Sequence, residues 1–547
     1  MLFNSYVFLL FFLPLSSVGY YSLGRYAGTN AAKIWLALAS FVFYGWWNPA
    51  FVVLLLISIG VNYALSVLII GSEGLASRQR GLLALGVTLN LSVLAYYKYL
   101  FAVLHFFNAH DWLSTDFGSV ILPLGISFFT FTQIGYLVDC QQGMVKEKNI
   151  LNYILFVTFF PHLIAGPILH HREIMPQFAD AATYRFDTTK VAAGLTLFVM
   201  GLTKKVVLAD SIAPWAEMGF AHAAQIGTLT TWSTVLAYSM QLYFDFSGYS
   251  DMAIGLGSMF GVRLPLNFNS PYKSTSIIDF WQRWHMTLTR YLTLLIYNPI
   301  SLWITRRRLA KGLPANRKAS QTLEGFASLV VFPTFVTMLL AGVWHGAGVQ
   351  FVVWGLLHAL YLTVNHAWRI FGPRPLSAAV SKLRFAVDHV WRVALTYASV
   401  LLAQVFFRAD SVSDAFKLVA GAFGRHGSDL PLSVAGFRLV RFGPVGDFLY
   451  RHGIIALTPT HLQWDTVTKP LLVNSLMILG MTLIIWGAPN AVQIMGQLSP
   501  ALQKIPATKW RVLIWRPSIV WALVIAVSLS YVLTQLDQPG RFLYLQF

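Results

Sequence analysis

His345 is the residue whose setting most invites chemistry. It sits in Ala-Gly-Val-Trp-His-Gly-Ala-Gly (341–348), after the uncharged run 326–343 and before another apolar run. An imidazole, with an ordinary pKa near 6.5, can take a proton from an incoming hydroxyl at neutral pH. A specific hydrogen bond would serve equally well to offset its burial, and position alone leaves the two readings level. Glycines at 342, 346 and 348 leave room beside it for a substrate or for another backbone. His358 follows 13 residues later, a rotation of about 220° along a helix of 3.6 residues per turn, so it ranks below His345.

Three other places combine polar groups with apolar surroundings. In Asp-Phe-Trp-Gln-Arg-Trp-His (279–285), Asp279 and Arg283 have the i, i+4 spacing of a helical ion pair, and Trp281, Trp284 and His285 would line an amphipathic helix at the membrane interface. In Gln-Leu-Tyr-Phe-Asp-Phe-Ser-Gly-Tyr-Ser-Asp (241–251), Asp245 and Asp251 could be an acid and base pair or could cap helices flanking a break at Ser247-Gly248; capping is the favoured reading. In Pro-His-Leu-Ile-Ala-Gly-Pro-Ile-Leu-His-His-Arg (161–172), His162 and His170 stand too far apart for the tight ligand pairs of zinc sites, and no carboxylate lies between them. A surface loop is expected there, with no metal. The single cysteine, Cys140, excludes an internal disulfide and is read as packing.

The elements that must position these groups are membrane helices. Of 547 residues, 56% are hydrophobic and 11% charged, against about 25% charged in an ordinary soluble domain. A bilayer crossing needs roughly 20 mostly apolar residues, and such runs recur throughout: 50–71, 81–97 and 518–536 carry no charge at all, with similar stretches near 6–23, 34–47, 120–138, 152–168, 191–202, 229–244, 326–343, 349–364, 393–407 and 471–488. The predicted fold is therefore an all-α polytopic membrane protein with roughly 11 to 15 membrane segments, some re-entrant. No Lys or Arg precedes Arg25, so the N-terminal run reads as a retained helix and not a signal peptide.

The net charge of +18 comes largely from cations in short connections, which positive-inside topology explains more economically than nucleic-acid binding. The densest group, six cations at 305–318, is expected on the cytoplasmic side; it could also receive an anionic carrier. No internal repeat of the kind that builds inverted transporters is evident. Texture divides the chain into a membrane catalytic body at 1–408, a polar, turn-rich excursion at 409–470 that includes 425–429 and 443–447, and C-terminal membrane helices at 471–547.

The segments at 122–128, 161–167, 241–255, 279–288 and 342–346, in that order along residues 1–408, closely resemble the membrane-bound O-acyltransferase family. The likeness is strongest to its bacterial members that act in alginate O-acetylation and, more distantly, teichoic-acid D-alanylation. The resemblance implies a helical body with a thinned centre and a tunnel, the catalytic histidine at His345 within Trp344-His345-Gly346, and an assisting histidine at His285. It further implies an acyl thioester such as acetyl-CoA as cytoplasmic donor with no bound cofactor. The implied partner is a periplasmic acetyltransferase or acyl-accepting protein of an exopolysaccharide system, across a bacterial inner membrane. Asp245 and Asp251 match a motif read as architectural; Trp344, Trp284 and Arg283 are tunnel or structural candidates.

One departure bears on the donor side. Relatives of the alginate type read Arg-Asp-Tyr-Leu-Tyr-Ile-Pro-Leu-Gly-Gly-Asn-Arg after the His285 segment, whereas this chain reads Arg-Tyr-Leu-Thr-Leu-Leu-Ile-Tyr-Asn-Pro-Ile-Ser (290–301), without the Gly-Gly-Asn turn. The expected activity is acetyl transfer across the membrane for O-acetylation of an exported polysaccharide. D-Alanyl transfer is the enzymatic alternative, and a transporter or scaffold whose histidines relay protons is the non-enzymatic one.

Overall fold

In a computed structural model the protein is described for residues 1–547 except 110–120, 146, 373–381, 428–432, 435–436, 439–468, 537–539, 541 and 544–547. It is a polytopic assembly of helices; among the described residues the only strand pairing is the two-residue ladder of Ser433–Val434 with Phe437–Arg438. Among the described residues, seven helices are long and apolar enough to cross a membrane: Val7–Tyr26, Ala50–Gly71, Ala76–Asn108, Thr188–Ala221, Leu323–His345, Ala386–Arg408 and Pro470–Gly487. Others predicted from apolar runs are shorter, such as Thr29–Gly45 and Ile519–Leu533. The run at 152–168 is broken instead: Ile150–Thr158 is followed by the single turn Phe160–Leu163, because Pro161 cannot extend the preceding helix.

The centre of the body is Thr228–Met259, a 32-residue helix buried along most of its length. Here the structure corrects the expected break at Ser247-Gly248: the helix runs straight through. Gly248 serves packing. A Cβ on Gly248 would lie 2.7 Å from the Gly201 carbonyl oxygen, and one on Gly201 would lie 2.5 Å from that of Gly248. One turn-pair further along, Gly194 and Gly255 meet in the same way, each hypothetical Cβ falling 2.5 Å from the other's carbonyl. Two glycine pairs thus bring the helices Thr188–Thr203 and Thr228–Met259 into backbone contact, as small residues do between membrane helices.

That contact aligns two lysines with two aspartates. Lys204 Nζ lies 2.5 Å from Asp251 Oδ2, and Lys205 Nζ lies 2.6 Å from Asp245 Oδ1 and 2.7 Å from Asp210 Oδ1. Asp245 and Asp251 are therefore anchors between helices and not helix caps. The C-terminal region joins the same core. The Leu543 N–H donates to Asp245 Oδ2 at 3.1 Å, Trp515 Nε1 donates to Thr196 Oγ1 at 3.0 Å, and Leu264 bridges Ala501. Residues beyond 470 are thus packed into the body that the sequence had set apart from them. Of the predicted polar excursion, Val412–Ala422 forms a helix capped by Ser411, while the segment 443–447 lies outside the described residues.

Candidate active site

His345 is the last residue of the helix Phe332–His345, and the chain leaves through Gly346 in an extended conformation. After the short turn 346–348, the helix Val349–Phe371 folds back along the first. The glycines that flank His345 make this return possible. A Cβ on Gly342 would lie 2.3 Å from the Phe351 carbonyl oxygen, one on Gly355 would lie 2.5 Å from that of Met338, and one on Gly346 would strike the Phe351 ring at 2.2 Å. Of the two uses foreseen for the glycines, these contacts are with other protein groups and not open space for a substrate.

The reversal also corrects the ranking of His358. A separation of about 220° holds only along one continuous helix; across a helical hairpin, His358 comes back to the His345 side. The two histidines share the Trp354 ring, whose centroid is 4.9 Å from each of theirs. His358 is buried and its Nδ1 accepts from Trp281 Nε1 at 3.3 Å.

His285 arrives from a different direction. The segment read as an amphipathic interface helix is instead a five-residue helix, Ile277–Trp281, then a turn, then the helix Met286–Leu292. Trp281, Trp284 and His285 are all buried. Asp279 and Arg283 do pair, Nε to Oδ1 at 2.8 Å. His285 occupies the junction in a left-handed conformation, φ 42° and ψ 51°, which costs a non-glycine residue energy and is found disproportionately at functional sites. Asn267 holds it there. The Asn267 side-chain oxygen accepts from Thr287 N–H at 3.3 Å and from Thr287 Oγ1 at 2.8 Å, and His285 Nδ1 lies 3.1 Å from the same oxygen. Nδ1 must therefore be the protonated nitrogen, which leaves Nε2 with the lone pair in the neutral ring.

Two small compartments meet at His345. One, about 30 Å³, is lined by His285, His345, His358, Trp284, Trp354 and Gln404 among others. The other, about 70 Å³, is lined by Lys98, the loop Leu122–Phe128, Ile164, Trp344 and His345. Both motifs at 122–128 and 161–167 contribute to this second wall. Gly125 has φ 72°, and a Cβ there would fall 2.7 Å from the Leu163 carbonyl oxygen, so the two loops close on each other only with glycine at this position. Trp344 forms the other side, stacked on Phe131 at 5.4 Å, which in turn stacks on Tyr291 at 4.6 Å. Arg283, the remaining candidate, stays on the partly exposed side with Asp279 and lines neither compartment.

Sequence reasoning missed two groups. The first is Lys98, in the Tyr-Tyr-Lys-Tyr-Leu turn at 96–100, whose Nζ donates to the Trp344 carbonyl at 2.5 Å. Its signal was a single lysine between the uncharged run 81–97 and the apolar segment Phe101–Ala109. The second is Asp139, which gathers His170 and His171: Nε2 and Nδ1 lie 3.0 Å and 2.9 Å from its Oδ2. These three groups have ligand atoms within 4.8 Å of one another. His170 Nδ1 accepts from the Arg172 N–H at 3.4 Å, which places its proton on Nε2, directed at Asp139. The contact is thus accounted for as a hydrogen bond that pins this loop to the helix Ile126–Gln141. His162 is buried apart from them, and Cys140 is buried in packing as expected.

Comparison with known proteins gives a consistent picture. A sequence profile described as MBOAT, membrane-bound O-acyltransferase family, matches residues 145–313. The chain is 38% identical over 488 residues to a peptidoglycan O-acetyltransferase of Helicobacter pylori, covering 84% of this chain and 86% of that protein. That coverage extends past residue 408, beyond the stretch that holds the motif segments. It is 39% identical to a probable alginate O-acetylase AlgI of Azotobacter vinelandii, covering 77% of this chain and 78% of the other. A teichoic acid D-alanyltransferase of Bacillus subtilis is 31% identical over 45% of this chain and 59% of its own length.

Proposed function

The chain belongs to the membrane-bound O-acyltransferase family and is a multi-pass membrane O-acyltransferase, and from that premise we propose that it moves an acetyl group from a cytoplasmic acyl thioester through the bacterial inner membrane for O-acetylation of an exported envelope polysaccharide. The observation that carries this reading is the position of His345, which lines both compartments at the centre of a helical body. In this reading His345 takes the proton of the acceptor as the acceptor attacks the acyl carbon, and returns it to the leaving group. His285, with Nδ1 tied to Asn267, offers its Nε2 lone pair to orient the acceptor. His358 completes the wall beside them.

Compartments of about 70 Å³ and 30 Å³ favour a small acyl group over a long chain. Relatives matched over 84% and 77% of this chain are named for O-acetylation, one of peptidoglycan and one of alginate, which favours acetyl over D-alanyl and a glycan acceptor over teichoic acid. The cationic group at 305–318 remains a candidate dock for an acidic donor carrier. Arg306, Arg307, Lys311, Arg317 and Lys318 are exposed, whereas Arg308 is buried against Glu324 at 3.0 Å and so is structural. A soluble or membrane-tethered periplasmic acetyltransferase would receive the group and complete the transfer.

The acyl group is identified by deleting the gene in its own strain and releasing envelope esters with mild base. Loss of acetate, with D-alanine unchanged, is the expected result. Loss of D-alanine with acetate unchanged would assign the alternative substrate.

A further inference from the structure

Lys98 is a cation in a place where a cation is costly. It lies within the apolar stretch Ala76–Asn108, and ionisable groups at that depth typically pair with one another or line a substrate path. No carboxylate among the described residues pairs with it. The helix takes a π turn at Tyr96–Leu100, an irregularity found frequently at functional sites because it redirects a side chain. Lys98 lies in the wall of the larger compartment, which His345 also lines.

Its contacts with Trp344 account for part of its bonding capacity. Nζ donates to the Trp344 carbonyl at 2.5 Å and lies 5.6 Å from the Trp344 ring. An ammonium has three donors, so this carbonyl uses one. A purely structural role, capping the end of the helix that carries His345, is shared with its neighbour, since Tyr99 donates to the Val343 carbonyl at 2.8 Å. Capping does not require a charge, and Tyr99 does it without one. What the ammonium adds is a concentrated positive charge inside the compartment where a carbonyl would become an oxyanion.

We propose that Lys98 is a catalytic residue of the acyl transfer at His345, donating to the carbonyl oxygen of an acyl thioester held in the larger compartment. The proposal rests on the reading of His345 as the acyl-transfer base. The acceptor oxygen loses its proton to His345 and bonds to the acyl carbon. The carbonyl π pair moves onto oxygen, where the Lys98 ammonium meets the new negative charge. That pair then reforms the carbonyl, the carbon–sulfur bond breaks, and the departing thiolate takes the proton from His345. Charge that develops only in the transition state is where a preorganised donor acts most strongly.

The test uses membrane vesicles from the source strain, deleted for the gene and complemented with full-length variants, so that native acceptors are present. Labelled acetyl-CoA is the donor, and initial rates of label incorporation are normalised to the amount of protein. Lys98→Met should lower kcat on the order of 10²–10³-fold, the usual cost of an oxyanion donor, with KM for acetyl-CoA little changed. Lys98→Arg, which keeps charge and donors, should recover part of the loss, and Tyr99→Phe should stay near the wild-type kcat. The proposal is overturned if Lys98→Met transfers like wild type, or if Tyr99→Phe loses as much and both melt at lower temperature, the mark of a cap alone. Wild-type vesicles that incorporate no label would overturn the donor reading and Lys98's role with it.

Discussion

His345→Ala should remove O-acetyl esters from the exported polymer while the protein accumulates in the membrane at its normal level. The loss should be large, because general acid–base catalysis by a positioned side chain contributes roughly 10²–10⁴-fold and His345 is the group that lines both compartments. Folding should survive the change. The hairpin around His345 is held by the approach of Gly342 to Phe351 and of Gly355 to Met338, not by the imidazole. Truncation does leave the Trp354 and Phe407 rings, at 4.9 Å and 5.0 Å, without their edge contact, so His345→Gln is the companion variant that keeps most of the volume. Both should be inactive and both should melt close to wild type. An active His345→Gln protein would mean that a hydrogen bond, not proton transfer, is the role of this position.

Lys205→Met should be the most destabilising single change at a site remote from the reaction centre. The lysine is almost fully buried and faces two carboxylates, Asp245 and Asp210. Removing it leaves Asp245, also buried, with the Leu543 N–H still donating to it but no cation beside it among the described residues. Breaking a buried pair from one side costs about 3–5 kcal/mol, whereas replacing both members with apolar groups is often close to neutral. The melting temperature in detergent should therefore fall sharply in Lys205→Met, and Lys205→Met with Asp245→Leu should melt above the single variant. A single variant that melts like wild type would mean that this triad contributes little to the fold.

The parts of this molecule that were legible in the sequence are those set by local composition. The run 50–71 is uncharged from end to end, and the helix Ala50–Gly71 has those same bounds. His345 could be singled out because nothing near it in the chain offsets its burial. What stayed hidden depends on contacts between distant segments. Asp245 and Asp251 were visible as two acids six apart, but their partners are Lys204 and Lys205, 40 or more residues away, and only the glycine-paired helices bring the four together. His358 was misplaced because a helical rotation was carried across a turn. The interface helix imagined for His285 failed because residue 285 adopts a left-handed conformation that no composition signal announces. Lys98 escaped because the uncharged run appeared to end at Tyr97, although a lone lysine followed by further apolar helix is itself a sign of an intramembrane functional group.

The most direct measurement is label transfer from acetyl-CoA in vesicles of the deletion strain carrying either wild-type protein or His345→Ala at equal amounts. The expected result is incorporation of the acetyl label into exported material with wild-type protein and none above the deletion background with His345→Ala. Equal incorporation by the two would contradict the central claim that His345 is the acyl-transfer base.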